Sequence, residues 1–335
     1  MLTTNLMSGL RLSPKGLHLG HYLGCLTPLN HYNNDEKLYF VIRDKGADIS
    51  NPLGQNYRNL LDILIDLSST QYSNRIMFVL QSKLQPYYTP IISFLQDITT
   101  IKQLSNIHPH RKKIKTNSYN LSVRDYLFPI ESISTYYILN ADRILMNDDN
   151  LSVVKFAYSI NKKIANILGE NIFTSPILIH GIYPRLLGYN YEKVSKSNQN
   201  AIFLSDDPNI LDHKLAKILS FKHLFKLSPQ LSIQRSELRE NFSLPDSYLP
   251  FIYLRIFSTD ENIEEKIQQY KLFKNYNLLK NDFYDTMRNF INSIQEKRNS
   301  LKNKESMLLE KLYNDTSTAE VISKQVLELF MAKIK

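Results

Sequence analysis

Two histidines and two lysines carry the most specific chemistry in this 335-residue chain. His18 and His21 bracket Gly20 within Pro14-Lys-Gly16-Leu-His18-Leu-Gly20-His21-Tyr-Leu-Gly24. Imidazoles three residues apart can donate to phosphate oxygens as negative charge develops on them. Gly20, lacking a Cβ, lets a flat base or a phosphate close to the main chain. A helix opening at this run would add free backbone N–H groups and a favourable dipole. The second group is Lys193-Val-Ser195-Lys196-Ser197, followed by Asn198-Gln-Asn-Ala-Ile-Phe-Leu-Ser-Asp-Asp-Pro208. Lysines three apart on a Ser-containing loop can clamp a triphosphate and neutralise departing pyrophosphate. Each group alone has a plainer reading: helix-capping histidines beside a Gly-rich turn, and a solvated basic loop.

Holding such groups in place takes rigid elements. Asn5 to Ser8 reads as a short strand running into Gly9, and Leu38–Ile42 and Ile76–Leu80 read as buried parallel strands. Between them Leu60, Ile63, Leu64 and Leu67 mark one face of a helix over 55–68. Strand, helix, strand at this spacing is a βαβ unit, so the fold class is α/β with a parallel sheet. Beyond about Ser205 charged helical stretches take over, over 260–270, 281–297 and 317–335, the last with Val321, Ile322, Val326, Leu327 and Leu329 as its apolar side. A catalytic domain over 1–204 is expected, then a helical domain over 205–316, with the C-terminal helix packing back on the first.

Composition narrows the class. With 43% hydrophobic and 22% charged residues, wholesale disorder is excluded. No run approaches the roughly 18–20 apolar residues of a membrane span. Met1 to Gly9 lacks the basic and apolar regions of a secretory signal. The single Cys25 excludes a disulfide framework and a multi-cysteine zinc site, so a cytoplasmic, reducing location is expected. The net charge of +9 leans toward a polyanionic partner, though over this length it is also an ordinary surface.

In this order and on this fold, the two motifs resemble the HIGH and KMSKS signatures of class I aminoacyl-tRNA synthetases. His18-Leu-Gly-His-Tyr-Leu-Gly24 and the Asn-Ala-Ile-Phe-Leu stretch after Ser197 resemble the tryptophanyl branch. Phe78-Val-Leu-Gln-Ser82, Leu279-Lys280, Gln295-Glu-Lys-Arg298 and the final helix follow it more loosely. The resemblance implies a Rossmann-type catalytic domain, a helical anticodon-binding domain and a homodimer. It also implies ATP and Mg²⁺ as cofactors, with an amino acid and tRNA as partners. His18, His21, Lys193 and Lys196 would then serve the phosphates, and Gly9, Gly20, Asp149, Ser195 and Ser197 would contact the nucleotide. No protein-borne metal site is expected.

The amino-acid side departs from the branch. Within Phe128-Pro-Ile-Glu-Ser-Ile-Ser-Thr135, Thr135 stands where the branch has the Asp that accepts the indole N–H, and Phe128 replaces a Tyr. Asn147-Asp-Asp-Asn150 replaces a Gly-Glu-Asp-Gln signature, keeping Asp149 but shortening the amide at Asn150. The second strand ends in Arg43 and Asp44, with Arg43 at a position that is apolar in the branch. Against an indole a buried Arg would be costly without a partner; a one-residue shift in alignment would turn it to solvent instead. Arg43, Asp44, Phe128, Thr135 and Asn150 are thus the candidate substrate residues. They suggest an enzyme that activates a carboxylate with selectivity altered from Trp. The alternatives are a divergent tryptophanyl enzyme, a noncatalytic RNA-binding or regulatory paralogue, and an adenylate-forming enzyme with a non-tRNA acceptor.

The basic run Ile107 to Lys115 could touch an acceptor stem or a second subunit, but reads more simply as a solvated loop. His108 and His110 lack nearby co-ligands, and Asp142, Asp148 and Asp149 fit a polar helix entry better than a metal cluster. Arg235, Arg239, Lys271, Lys274, Lys280, Lys297 and Arg298 could serve an anticodon stem. Tyr270, Phe273 and Tyr276, at helical spacing, are expected in the core.

Overall fold

Asn5–Arg11 (β1), Leu38–Arg43 (β2) and Ile76–Leu80 (β3) are almost wholly buried runs, and apolar strands with both faces covered pair in parallel. The computed structural model describes residues 5–45, 47–107, 122–181, 183, 186–194, 199–220, 246, 248–273 and 276–334. With Ala141–Leu145 (β4) and Ile177–Ile179 (β5) these strands form one parallel sheet in the order β3-β2-β1-β4-β5. The chain order reverses between β1 and β4, and that reversal opens a crevice at the carboxyl ends of the strands.

The helical elements in chain order are α1 (Leu19–His21), α2 (Gln55–Ser69), α3 (Gln85–Ile98), α4 (Ile101–Ser105), α5 (Val123–Ile138) and α6 (Leu151–Leu168), then α7 (Pro208–Ile218), α8 (Leu249–Phe257), α9 (Ile263–Phe273), α10 (Tyr276–Leu301) and α11 (Glu305–Lys333). α2 buries the expected Leu60, Ile63, Leu64 and Leu67. The helix expected at His18 is only one α turn, followed by a π turn over Tyr22–Leu26 and a 3₁₀ turn over Thr27–His31. Among the described residues no helix is long and apolar enough to cross a membrane.

The contacts divide the chain into a sheet unit (Met1–Gly16, Gly20–Pro184, Leu301–Lys335) and a helical unit (Leu17–Leu19, Arg185–Ser300). Residues 185–204, assigned to the first domain by sequence, cluster with the helices. Tyr191 donates its hydroxyl to Ile218 O (2.7 Å) and Tyr253 donates to Leu187 O (3.1 Å).

In the sheet unit α11 lies along β3, an edge strand whose outward N–H and C=O groups would otherwise be unpaired. Asp315 Oδ2 accepts from Phe78 N (2.9 Å), Thr316 Oγ1 accepts from Leu80 N (3.2 Å), and Lys311 Nζ donates to Ile76 O (3.0 Å). α11 starts twelve residues before the expected 317 (317 − 305) and buries Leu308, Leu312, Thr316, Ala319, Ser323, Phe330 and the expected Val326, with the expected Ile322 and Leu327 partly buried against the same core. Val321 and Leu329, expected inside, are more than half exposed, because the strand edge takes the hydroxyl-bearing face instead. Farther along, Phe330 meets Phe94 and Phe173 (centroids 5.3 and 5.4 Å apart).

The helical unit is centred on Tyr253, Phe283, Met287 and Ile291, all buried. Tyr270 is buried as expected and donates to Asp282, while the Tyr276 hydroxyl lies 2.7 Å from that of Tyr248. The side chain of Phe273, and Arg235, Arg239, Lys274, His108 and His110, lie outside the described residues. Arg298, named as a surface cation for RNA, is buried at 5% exposure.

Candidate active site

Within the helical unit the histidine motif pairs with the stretch that follows the lysine loop in sequence. Leu17–Leu19 runs antiparallel to Ile202–Leu204: Leu19 N donates to Ile202 O (2.9 Å) and Leu204 N to Leu17 O (3.0 Å). His18 sits directly opposite Phe203, and the two rings pack edge to face at 5.9 Å. Asp206 holds Phe203 by accepting from its N–H (2.8 Å), and is itself paired with Lys214 Nζ (2.6 Å). On the other side of this stretch, Asn200 Nδ2 reaches Lys193 O (3.0 Å) and Asn190 Oδ1 (2.7 Å). Val194 N donates to Leu186 O (3.2 Å), closing the turn. His18 is buried, and Lys193 presents an exposed side chain. Ser195, Lys196 and Ser197 lie outside the described residues.

In the sheet unit, the crevice where the strand order reverses is built by close backbone approach. Ser8 Oγ donates to Leu145 O (2.6 Å), joining β1 to β4. Past β4, Asn147 Nδ2 donates to Gly20 O (3.2 Å), drawing the segment after β1 onto the loop after β4. A Cβ at Gly24 would overlap the Asn147 amide, and one at Gly181 would overlap the Leu23 carbonyl oxygen. His180 Nδ1 lies 2.6 Å from Asp148 Oδ1, while Asp149 is exposed and Asn150 half-buried at the same turn. Gly20 is buried and His21 half-buried. Gly9 is tightly packed within β1, where a Cβ would overlap Val41 O of β2. Asn147, His180 and Gly181 had no assigned role from sequence; only their tertiary convergence picks them out.

On the β2 side of β1 a cavity of about 440 Å³ opens between strand ends and α5. Arg11, Arg43, Lys45, Gln81, Arg124 and Phe128 line it, with Asp125 and Glu131. Both guanidinium groups lie against the Phe128 ring, Arg43 at 4.8 Å and Arg11 at 4.9 Å from its centroid. Lys45 Nζ pairs with Glu131 at 3.0 Å, Arg11 lies 3.8 Å from Asp125, and Arg124 donates to Lys45 O. Of the candidate substrate residues, Arg43 and Phe128 reach the cavity. Thr135 is fully buried behind it, accepting from the cavity-lining Gln81 (3.1 Å) and donating to Glu131 O (2.9 Å). Asp44 is also buried, and caps the turn after β3 by accepting from Ser82 N (2.9 Å) and Ser82 Oγ (2.5 Å). Arg11, Lys45, Arg124, Gln81 and Glu131 were not singled out from sequence. Only the position of Arg11 and Lys45 at or just past strand ends hinted at them.

The family of class I tRNA synthetases (W and Y) matches residues 3–231. The chain belongs to that family. It is an aminoacyl-tRNA ligase with a Rossmann-type catalytic sheet and a helical region. The synthetase is 22% identical over 326 residues to the tryptophan–tRNA ligase of Borreliella burgdorferi, spanning 93% of this chain and 88% of that one. It is 23% identical to the Chlamydia caviae enzyme of the same name, over 93% and 90% of the two chains. A structure of tryptophanyl-tRNA synthetase from Campylobacter jejuni, complexed with ADP and tryptophan, superposes with a TM-score of 0.75 at 21% identity over 99% of both chains. The synthetase of Mycoplasma pneumoniae gives 0.75 at 15%, over 99% and 98%.

Proposed function

We propose that this synthetase joins an amino acid to ATP and then passes the aminoacyl group to tRNA. A carboxylate oxygen of the amino acid attacks the α-phosphorus of ATP; the bond to the β-phosphate oxygen breaks and pyrophosphate leaves. A hydroxyl of the terminal ribose of tRNA then attacks the activated carbonyl, expelling AMP. No covalent enzyme intermediate is required, so positioning and charge stabilisation carry the rate. His18, His21, Lys193 and Lys196 would stabilise charge developing on the phosphates, and Gly9, Gly20, Asp149, Ser195 and Ser197 would contact the nucleotide. The observation that supports this reading is the pairing of Leu17–Leu19 with Ile202–Leu204, which ties the histidine motif to the stretch that follows the lysine loop in sequence.

Mg²⁺ would arrive bound to the nucleotide, as it commonly binds through substrate phosphates and water. We further propose a cytoplasmic homodimer. Ile101 and Val123, each 75% exposed, are large apolar side chains that a second copy could cover. The names of the relatives favour tryptophan as substrate, whereas the charged cavity favours altered selectivity. ATP–pyrophosphate exchange across the amino acids, followed by charging of total tRNA, tests the proposal. Exchange that depends on one amino acid, with transfer of that label to tRNA, is expected. Exchange without transfer would point to another acceptor, and no exchange with any amino acid would refute the reading.

A further inference from the structure

Arg43 is a partly buried guanidinium that no ion pair among the described residues accounts for. It ends β2 at the cavity wall with its Nε buried and lacking a hydrogen-bond partner. Among the described residues no carboxylate forms an ion pair with it; Glu131, which attracts it from farther off, lies 3.0 Å from Lys45 Nζ, its Oε1 completing no hydrogen bond of good geometry. The Tyr136 hydroxyl attracts Arg43 too, yet completes no hydrogen bond of good geometry. Burial pulls Arg43 below the usual guanidinium range, and the like charge of Arg11 adds to that. Around the cavity four cations, Arg11, Arg43, Lys45 and Arg124, face two carboxylates, Asp125 and Glu131 (4 − 2 = +2). No hidden acid of this unit redresses the balance, because residues 1–4, 46, 108–121, 182, 184 and 335 include no Asp or Glu.

A guanidinium in this position is stabilised by a bound anion and destabilised by an apolar guest, which would strip its remaining solvent without replacing it. Two guanidinium groups lie 4.9 and 4.8 Å from one ring centroid at the cavity, and each is a planar donor suited to a carboxylate or phosphate. The neutral Thr135, already engaged with Gln81, leaves no carboxylate at that position to repel such a guest.

We propose that this cavity receives the side chain of an acidic amino acid, so that the synthetase activates a carboxylate- or phosphate-bearing amino acid in preference to an indole. The inference rests on the adenylate-forming reading above and names the substrate class for it. Sites that hydrogen-bond a polar group reject analogues lacking it far more strongly than apolar pockets reject added polarity. The discrimination should therefore be large.

Calorimetric titration of the full chain with L-aspartate, L-glutamate and O-phospho-L-serine tests this, against L-asparagine, L-glutamine, L-serine, L-tryptophan and ATP. Pyrophosphate exchange is run on the same set. At least one acidic amino acid should bind more than about 100-fold tighter than its neutral counterpart. That preference should shrink to within about threefold in Arg43→Gln, as a charge-assisted contact is lost. Tightest binding of tryptophan, or an acidic preference that survives in Arg43→Gln, would overturn the proposal. So would Arg43→Gln weakening ATP rather than the amino acid, because the anion would then be the nucleotide's own phosphate. Acidic binding without exchange would support the cavity's assignment and refute adenylate formation. Exchange with only neutral amino acids would do the reverse. The wild-type panel alone decides the case if the variant fails to fold.

Discussion

The crevice between β1 and β4 and the cavity beside β2 flank the same central strand, yet they are built on opposite principles. The crevice is made chiefly by close backbone approach, Asn147 on Gly20 and Gly24 and Gly181 pressed against their neighbours, with the His180–Asp148 contact beside it. The cavity is made of long charged side chains gathered round Phe128. On the proposed reading the crevice takes the nucleotide, which is the same in every synthetase, and close backbone contact suits a constant ligand. An amino-acid side chain is what distinguishes one synthetase from another, and exchangeable side chains suit a variable one.

If the crevice is limited by space, Gly181→Ala should be the most damaging change, because its Cβ meets a carbonyl that cannot rotate aside. A loss of about 3 kcal/mol in stability, or more than hundredfold in ATP affinity, is expected by denaturation and titration. Tolerance would show the crevice to be loose. Cys25, in the π turn bordering it, probes the same tightness. Burial pushes its thiol up to about 11, so at pH 8 its alkylation should run roughly two orders of magnitude slower than in the denatured chain. Equal rates would contradict a closed crevice.

Thr316→Val asks whether the two regions share one support. It leaves Leu80 N–H and Phe78 C=O without this partner at the sheet edge and should remove about 1–3 kcal/mol of stability by urea unfolding. Amino-acid preference should stay unchanged; an altered preference would mean that α11 shapes the cavity directly. The smallest change should be of opposite sign. Arg43→Leu removes a half-buried guanidinium that forms no ion pair among the described residues and should stabilise the free protein by about 1 kcal/mol, read as a raised Tm. A fall in Tm would show that the contacts of Arg43 with Phe128 and Tyr136 outweigh the cost of its desolvation.

The parts of this fold readable from sequence were those with unmixed patterning. Leu38–Ile42 and Ile76–Leu80 are continuous apolar runs, and α2 keeps one clean face. β4 was missed because Asp142 and Arg143 interrupt it; Arg143 is tied to Glu36 at 2.9 Å, so the strand carries charge without leaving it unpaired. On α11 Val326, Ile322 and Leu327 lie on or against the core as their pattern implies, whereas Val321 and Leu329 face outward because the interior takes Thr316 and Ser323 instead. Of the candidate site, the histidine and lysine motifs stood out because they are local. The cavity's Arg11, Lys45 and Arg124 look like ordinary surface cations until three separate segments bring them to one wall.

The central claim is that the His18 motif and the Lys193 loop act on one triphosphate. A double-mutant cycle of His18→Asn and Lys193→Ala, read by ATP–pyrophosphate exchange, tests it most directly. Groups acting as a unit are strongly non-additive, so the double variant should lose much less than the product of the single losses. Two losses that multiply independently, or either variant exchanging at the wild-type rate, would contradict the account.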